Sequence, residues 1–308
     1  MKIVHFSELN KRLAQDTVSF ISSCDKEFDN SCLEIAEQIA EHKDEHPIIL
    51  LSGPSGSGKT TTALKIESYL DNMGISTHTL SMDNYFLPKE CIKLDKDERI
   101  DYESPYRIDI SLLQDHMKRL AECEEIDLPA FDFRNQARIK GKKLRRERGE
   151  LILFEGIHAL NPEVTGYDDI ASCIYVSVRT RIQLSNGELV HPELIRLMRR
   201  IIRDRNFRNR KPSETLDMFD SVQRGESLYI NPYKDRAHYE LDTFLGYETQ
   251  IYKPLIEQDL EHLKNTYEHF DRFMPAYELI KDLLPADSSD LSQTSMTREF
   301  IGGSSYEY

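Results

Sequence analysis

Ile48-Ile49-Leu50-Leu51-Ser52-Gly53-Pro54-Ser55-Gly56-Ser57-Gly58-Lys59-Thr60 is the stretch that decides the fold. Its first four residues are apolar without alternation, the pattern of a parallel strand covered on both faces. The run then breaks into Gly53-x-x-x-x-Gly58-Lys59-Thr60. Beyond it Ala63, Ile66, Leu70 and Met73 recur at intervals of three and four, which predicts a helix from Lys59 to about Met73 closed by Gly74. A glycine-rich turn between a buried strand and a helix N-terminus is an anion cradle. Backbone N–H groups of Gly53, Ser55, Gly56, Ser57 and Gly58 can converge on a phosphate, and the helix end adds positive potential. Lys59 can bridge the outer phosphates of a triphosphate and the Thr60 hydroxyl can hold magnesium. The competing reading, a chance glycine-rich turn, does not account for the strand before it and the helix after it.

Outward from this loop, residues 77–81, 151–154, 173–178 and 239–244 read as further buried strands separated by segments of helical spacing. The alternation predicts an α/β P-loop NTPase fold, a parallel sheet flanked by helices. Residues 1–45 carry Leu33, Ile35, Ala36, Ile39 and Ala40 at helical spacing and form a helical lead-in. The P-loop domain is expected over 46–256, and 257–308 reads as a helical C-terminal extension and tail in which 287–297 is polar and expected to be mobile.

Composition narrows the function. A formal net charge of −14 repels polyanions and argues against general nucleic-acid binding, so any anion site must be local. No apolar run approaches the roughly 20 residues of a membrane span and no leader pattern opens the chain, so a cytoplasmic protein without a membrane partner is expected. Five cysteines, odd in number and never in a C-x-x-C pair, indicate neither a disulfide framework nor a zinc site. The basic run at 140–148 reads as a solvated loop or hairpin. In the second run Arg196, Arg199, Arg200 and Arg203 recur at intervals of three and four, which puts their guanidinium groups on one helical face. A solvated face is the usual reading of such a run; in an acidic chain with a phosphate cradle, phosphate contact is favoured.

Asp83 sits just past the second expected strand, in Ser81-Met82-Asp83-Asn84-Tyr85-Phe86. Strand ends of a parallel sheet share one rim, so Asp83 would face the phosphates and could accept the proton of an attacking hydroxyl. A turn or capping aspartate is the competing reading. Two absences argue against a guanine-nucleotide switch: no Asn-Lys-x-Asp occurs, and the strand at 151–154 ends in Glu155-Gly156 rather than Asp-x-x-Gly.

Six ordered blocks resemble the uridine kinase and phosphoribulokinase family, in particular its bacterial uridine kinase-like nucleoside kinases. They are residues 53–60, Met82-Asp83-Asn84-Tyr85-Phe86, Asp101-Tyr102-Glu103-Ser104-Pro105, Leu128-Pro129-Ala130-Phe131-Asp132-Phe133, Phe154-Glu155-Gly156-Ile157-His158 and the arginine block at 196–204. The ending Arg298-Glu299-Phe300-Ile301-Gly302-Gly303-Ser304 resembles the tail of the bacterial branch. The resemblance implies ATP and Mg2+ as cofactors, Asp83 as catalytic base, Lys59 and Arg203 as catalytic partners, and Glu155 beside Thr60 at the metal. It implies that Arg200, Arg203, Arg208 and Arg210 form an arginine-rich lid over the triphosphate. It also implies an acceptor pocket of Asp83, Phe86, Glu103, Phe131, Phe133, Gln136 and Arg138. This sequence departs from the uridine-cytidine kinases where they carry tyrosine, histidine and aspartate and it carries Phe131, Gln136 and Glu103. The expected reaction is transfer of the γ-phosphoryl group of ATP to a small-molecule hydroxyl, first the 5′-hydroxyl of uridine or cytidine. A sugar phosphate acceptor, with Arg107 or Arg134 as its basic partner, and a non-catalytic nucleotide-binding regulator are the alternatives. Assembly into a homo-oligomer is allowed.

Overall fold

In the computed structural model, which describes residues 2–91, 101–133, 135–166 and 170–307, the chain opens with a short strand, β1 (Ile3–His5), then α1 (Phe6–Gln15) and α2 (Thr17–Glu41). Asp16 separates the two helices: its extended backbone ends α1, and its side chain accepts from the Ser19 N–H to start α2. β2 (Ile48–Ser52), α3 (Lys59–Asn72) and β3 (Thr77–Ser81) follow, with Gly74 at φ +79° turning the chain out of α3. α4 (Ile110–Ala121) leads into a hairpin of β4 (Glu125–Asp132) and β5 (Ala137–Arg145), so the basic run lies largely on an exposed hairpin strand. β6 (Leu151–Glu155), the single turn α5 (Pro162–Thr165), β7 (Ala171–Ser177), β8 (Arg181–Gln183) and β9 (Leu189–Val190) come next. The chain closes with α6 (Pro192–Arg208), α7 (Pro212–Asp217), α8 (Phe219–Gly225), β10 (Tyr239–Asp242), α9 (Glu248–Thr266), α10 (Met274–Asp282) and α11 (Arg298–Ile301).

Five strands form one parallel sheet in the order β10-β7-β2-β6-β3, the α/β architecture the sequence predicts. Along β2, Ile49 and Leu51 enter a core shared with α2, α3, α6, α9 and α10, while Ile48 and Leu50 enter a second core with Leu80, Leu113 and Met117. Both faces are covered, which is why the run shows no polar alternation. The first core joins the two ends of the chain to its middle: Phe20, Phe28 and Ile39 near the start, Ile66 in α3, and Leu279, Leu291 and Phe300 near the end. The five cysteines are free, with Cys24, Cys32 and Cys173 buried. Among the described residues no helix is long and apolar enough to cross a membrane.

Segment 287–297 departs from its expected mobility. Leu291, Ser295, Met296 and Thr297 are buried. Ser295 Oγ lies 2.7 Å from the Tyr247 hydroxyl, and Arg298 donates to the carbonyls of Ser288, Leu291 and Ser292. The polar side chains that read as a mobile surface instead satisfy the backbone of a turn-rich segment pressed onto the core.

Candidate active site

The C-terminal rim of the sheet gathers the expected chemistry. Glu155, the last residue of β6, pairs with Leu51 of β2 on one side and Ser81 of β3 on the other. The P-loop leaves β2 from this rim, and Asp83 follows β3 by two residues in a short 3-10 turn, Met82–Tyr85. A Cβ on Gly53 would stand 2.1 Å from the Val176 carbonyl, so only glycine lets the loop pass β7 so closely. Gly56 and Gly58 turn the loop at φ +76° and +82°.

Two arginines of α6 grip this loop from behind. Arg196 Nη1 donates to the Ser55 carbonyl and Arg199 Nη1 to the Gly56 carbonyl, each at 3.0 Å. Tying those carbonyls to α6 fixes the peptide units of the loop; the Gly56 N–H belongs to one of them, whereas the Ser57 N–H, expected in the cradle, donates to the Pro54 carbonyl at 3.2 Å and closes the turn instead. Each arginine is neutralised by a buried carboxylate: Arg196 Nη2 to Glu226 Oε2 at 2.8 Å, Arg199 Nε to Glu248 Oε2 at 2.7 Å. These pairs correct the reading of the arginine stripe, because two of its four members hold the P-loop rather than face phosphates. Spacing fixes the face of a helix; it does not say whether the partner is a phosphate or a glutamate from a distant element.

The other arginines are differently placed. Arg200 leans over the loop, its Cγ 3.2 Å from where a Gly56 Cβ would stand, and its Nε has no partner among the described residues. Burial, with Arg203 nearby, pulls its pKa down to about 10. Arg203, Arg208 and Arg210 gather on the fully buried Asp204, with contacts of 2.9, 3.5 and 3.1 Å. Burial would raise Asp204, but Arg203 and Arg208 outweigh it and hold the carboxylate below its usual range. Leu194, Ile195, Leu197, Met198, Ile201 and Ile202 anchor α6 in the core, so any closure over a ligand would be confined to its last turn and the loop beyond.

Burial pushes Asp83 above the ordinary carboxylate range against the pull of Lys59, Arg208, Arg107 and Arg203. Glu155 is lifted to about 7, first by burial and then by Asp83, with Lys59 opposing. Two carboxylates and a lysine therefore share one rim, with Glu155 buried and Lys59 and Asp83 half-buried. Among the described residues no group of three metal-binding side chains stands together. Glu155 and the Thr60 hydroxyl offer the kind of oxygens magnesium takes, one or two from the protein with the rest from phosphates and water.

On the acceptor side Phe86, Phe131 and Phe133 form an edge-to-face trio with centroids 5.3 to 6.3 Å apart. Glu103 packs against Gly225, and its Oε2 is buried without a partner among the described residues. Burial lifts its pKa to about 7. Gln136 takes a left-handed turn, φ +51°, and its amide donates to the Phe133 carbonyl at 2.8 Å, closing the hairpin. Arg138 differs from the acceptor contact expected of it: its guanidinium donates to Asp109 at 3.0 Å and to the carbonyls of Tyr85 and Phe86, bracing the segment that carries Asp83.

His158, absent from the expected site, and Arg107, expected there only for a sugar phosphate acceptor, also converge here. His158 is 2% exposed and held neutral, its pKa pushed down to about 4 by burial, with the backbone carbonyls of Glu103 and Tyr229 against its ring. Arg107 lies between the rings of Phe86 and Tyr102, 4.5 and 5.0 Å from their centroids. Arg134 lies outside the described residues. Glu226, Glu248 and Glu299 carry no local pattern that marks them; only the partner that each meets in three dimensions does.

The sequence model of the phosphoribulokinase / uridine kinase family matches residues 48–245. The chain belongs to this family. As a member of the phosphoribulokinase / uridine kinase family it is a P-loop kinase that transfers a phosphoryl group from ATP to an alcohol. Uridine-cytidine kinase C of Dictyostelium discoideum is 30% identical over 189 residues, 60% of this chain and 36% of that protein, so the chain spans about a third of that relative's length. The uridine kinase of Macrococcus caseolyticus is 29% identical over 192 residues, 62% of this chain and 84% of that enzyme. A solved structure from Silicibacter sp. TM1040, provisionally assigned as a fructose transport system kinase, covers 68% of this chain and 98% of its own at a TM-score of 0.52 and 16% identity, a likeness of fold alone.

Proposed function

We propose that the chain phosphorylates the 5′-hydroxyl of a nucleoside, uridine or cytidine first, with ATP and Mg2+. The observation that carries this reading is the convergence of Lys59, Asp83 and Glu155 at one rim, together with an aromatic trio on which a base could pack and the buried Oε2 of Glu103, able to accept a hydrogen bond from a diol. Lys59 would bridge the outer phosphates, with Arg200 and Arg203 sharing the charge that develops on the transferred group. Magnesium held by Thr60 and Glu155 would neutralise the phosphate oxygens. The acceptor oxygen attacks the γ-phosphorus, the bond from that phosphorus to the β–γ bridging oxygen breaks, the hydroxyl proton passes to Asp83, and ADP leaves.

A second reading, an anionic acceptor such as a sugar phosphate, is favoured by Arg107. This guanidinium is 7% exposed, donates to the Tyr102 carbonyl at 3.3 Å and has no carboxylate within ion-pair distance among the described residues. ADP release measured across uridine, cytidine and a set of sugar phosphates decides between them. Uridine or cytidine turnover that falls about 10²- to 10⁴-fold in Asp83→Asn, with ATP affinity kept, is the expected result. Turnover of sugar phosphates alone, lost in Arg107→Met, would replace the nucleoside. Silence with every acceptor would leave a nucleotide-binding regulator.

A further inference from the structure

The first turn of α3 is already occupied. Its N-cap, Gly58, has no side chain to offer, so the first N–H groups of the helix await an acceptor from elsewhere. One acceptor comes from the far end of the chain: Glu299 Oε2 takes hydrogen bonds from the Thr61 N–H at 3.1 Å and the Thr61 hydroxyl at 2.7 Å. Met296 fills the space beside Gly58, with its Sδ 2.3 Å from where a Cβ would stand. Phe300 lies under Arg199, 5.1 Å from its Cζ, and Ser295 is joined to Tyr247. The tail is thus seated on the P-loop helix by one carboxylate and three buried side chains.

A carboxylate on a first-turn amide of a P-loop helix stands where a phosphate oxygen would be received. Both are anions competing for the same positive end, and one N–H cannot serve both with full strength. Resting on the P-loop as the triphosphate site, we infer that Glu299 is a built-in occupant of the nucleotide's phosphate cradle and that the 288–306 tail must shift when ATP binds. The affinity seen for nucleotide is then the intrinsic affinity reduced by the fraction of chains whose tail is seated.

Titration of the full chain with a non-hydrolysable ATP analogue and magnesium tests this, using wild type, Glu299→Gln and Glu299→Ala, with hydrogen exchange followed in the tail. Glu299→Ala should bind the analogue roughly tenfold more tightly than wild type, a change a single charge-assisted hydrogen bond can supply. Glu299→Gln, which keeps an acceptor but loses the charge, should fall between. In wild type the analogue should speed exchange at 288–306. Weaker or unchanged binding by both variants, or a tail that exchanges more slowly with analogue, would overturn the inference and make Glu299 a permanent helix cap. Absence of binding in wild type and variants alike would remove the triphosphate reading and this inference with it, which is distinguishable from binding without gain.

Discussion

Glu103, proposed above as an acceptor contact, carries a cost to the fold in the ligand-free protein. Its carboxyl has an ordinary value of 4.5 and is lifted to about 7 by burial. Between those values the folded chain keeps a proton that the unfolded chain releases, so the unfolded state binds fewer protons and stability falls as pH rises from about 4.5 to about 7. Above that range the loss is complete. Glu103→Gln should therefore stabilise the ligand-free protein by about 1–3 kcal/mol at pH 8 and by little at pH 4.5, read from urea unfolding at the two pH values. An equal gain at both would mean that the buried charge is not the cause. Asp83, Lys59 and Glu155 were legible in the sequence because their positions follow from strand ends and a motif. His158 and Arg107 gain their place from burial among Tyr229, Phe86 and Tyr102, which no spacing announces.

At the scale of an element, α6 divides its arginines by depth. Arg199 is fully buried in its pair with Glu248, and Arg199→Ala would leave that carboxylate uncompensated in the core; such losses are about 3–5 kcal/mol. Arg203 is mostly buried beside the fully buried Asp204, which would keep Arg208 and Arg210, so Arg203→Ala should cost less than Arg199→Ala while lowering turnover strongly. Chemical denaturation together with ADP release separates the two; a reversed order of stability losses would return Arg199 to the phosphate side. Periodicity located this helix and its polar stripe. The depth of each arginine depended on Glu226 and Glu248, which are 30 and 49 residues further along the chain. The tail was misread for a related reason: its serines, threonines and Arg298 look like surface residues until Tyr247 and the backbone carbonyls they bind are in place.

For the whole molecule, the lead-in and the C-terminal extension are parts of the kinase's core. Lys65 of the P-loop helix pairs with Asp29 of α2 at 2.6 Å, and Phe20, Phe28, Leu279 and Phe300 share one apolar cluster with β2. We propose that the divisions at 46 and 256 separate stretches of sequence and not units that fold alone. A fragment of residues 46–256 should lack a cooperative thermal transition, because it would expose the face that α2, α9 and α10 cover. Cooperative melting of that fragment near the temperature of the full chain would show the opposite.

The two carbonyls of the P-loop held by Arg196 and Arg199 have a last consequence. A glycine-rich loop left to itself samples many shapes, and a ligand that orders it loses affinity to the entropy of doing so. Here the carbonyls of Ser55 and Gly56 are fastened by hydrogen bonds to core-helix arginines that buried ion pairs hold in place before any ligand arrives, so that ordering belongs to folding. The two fastened peptide units meet the anion already ordered, and what remains to rearrange on binding is what lies over them, the seated tail and the end of α6.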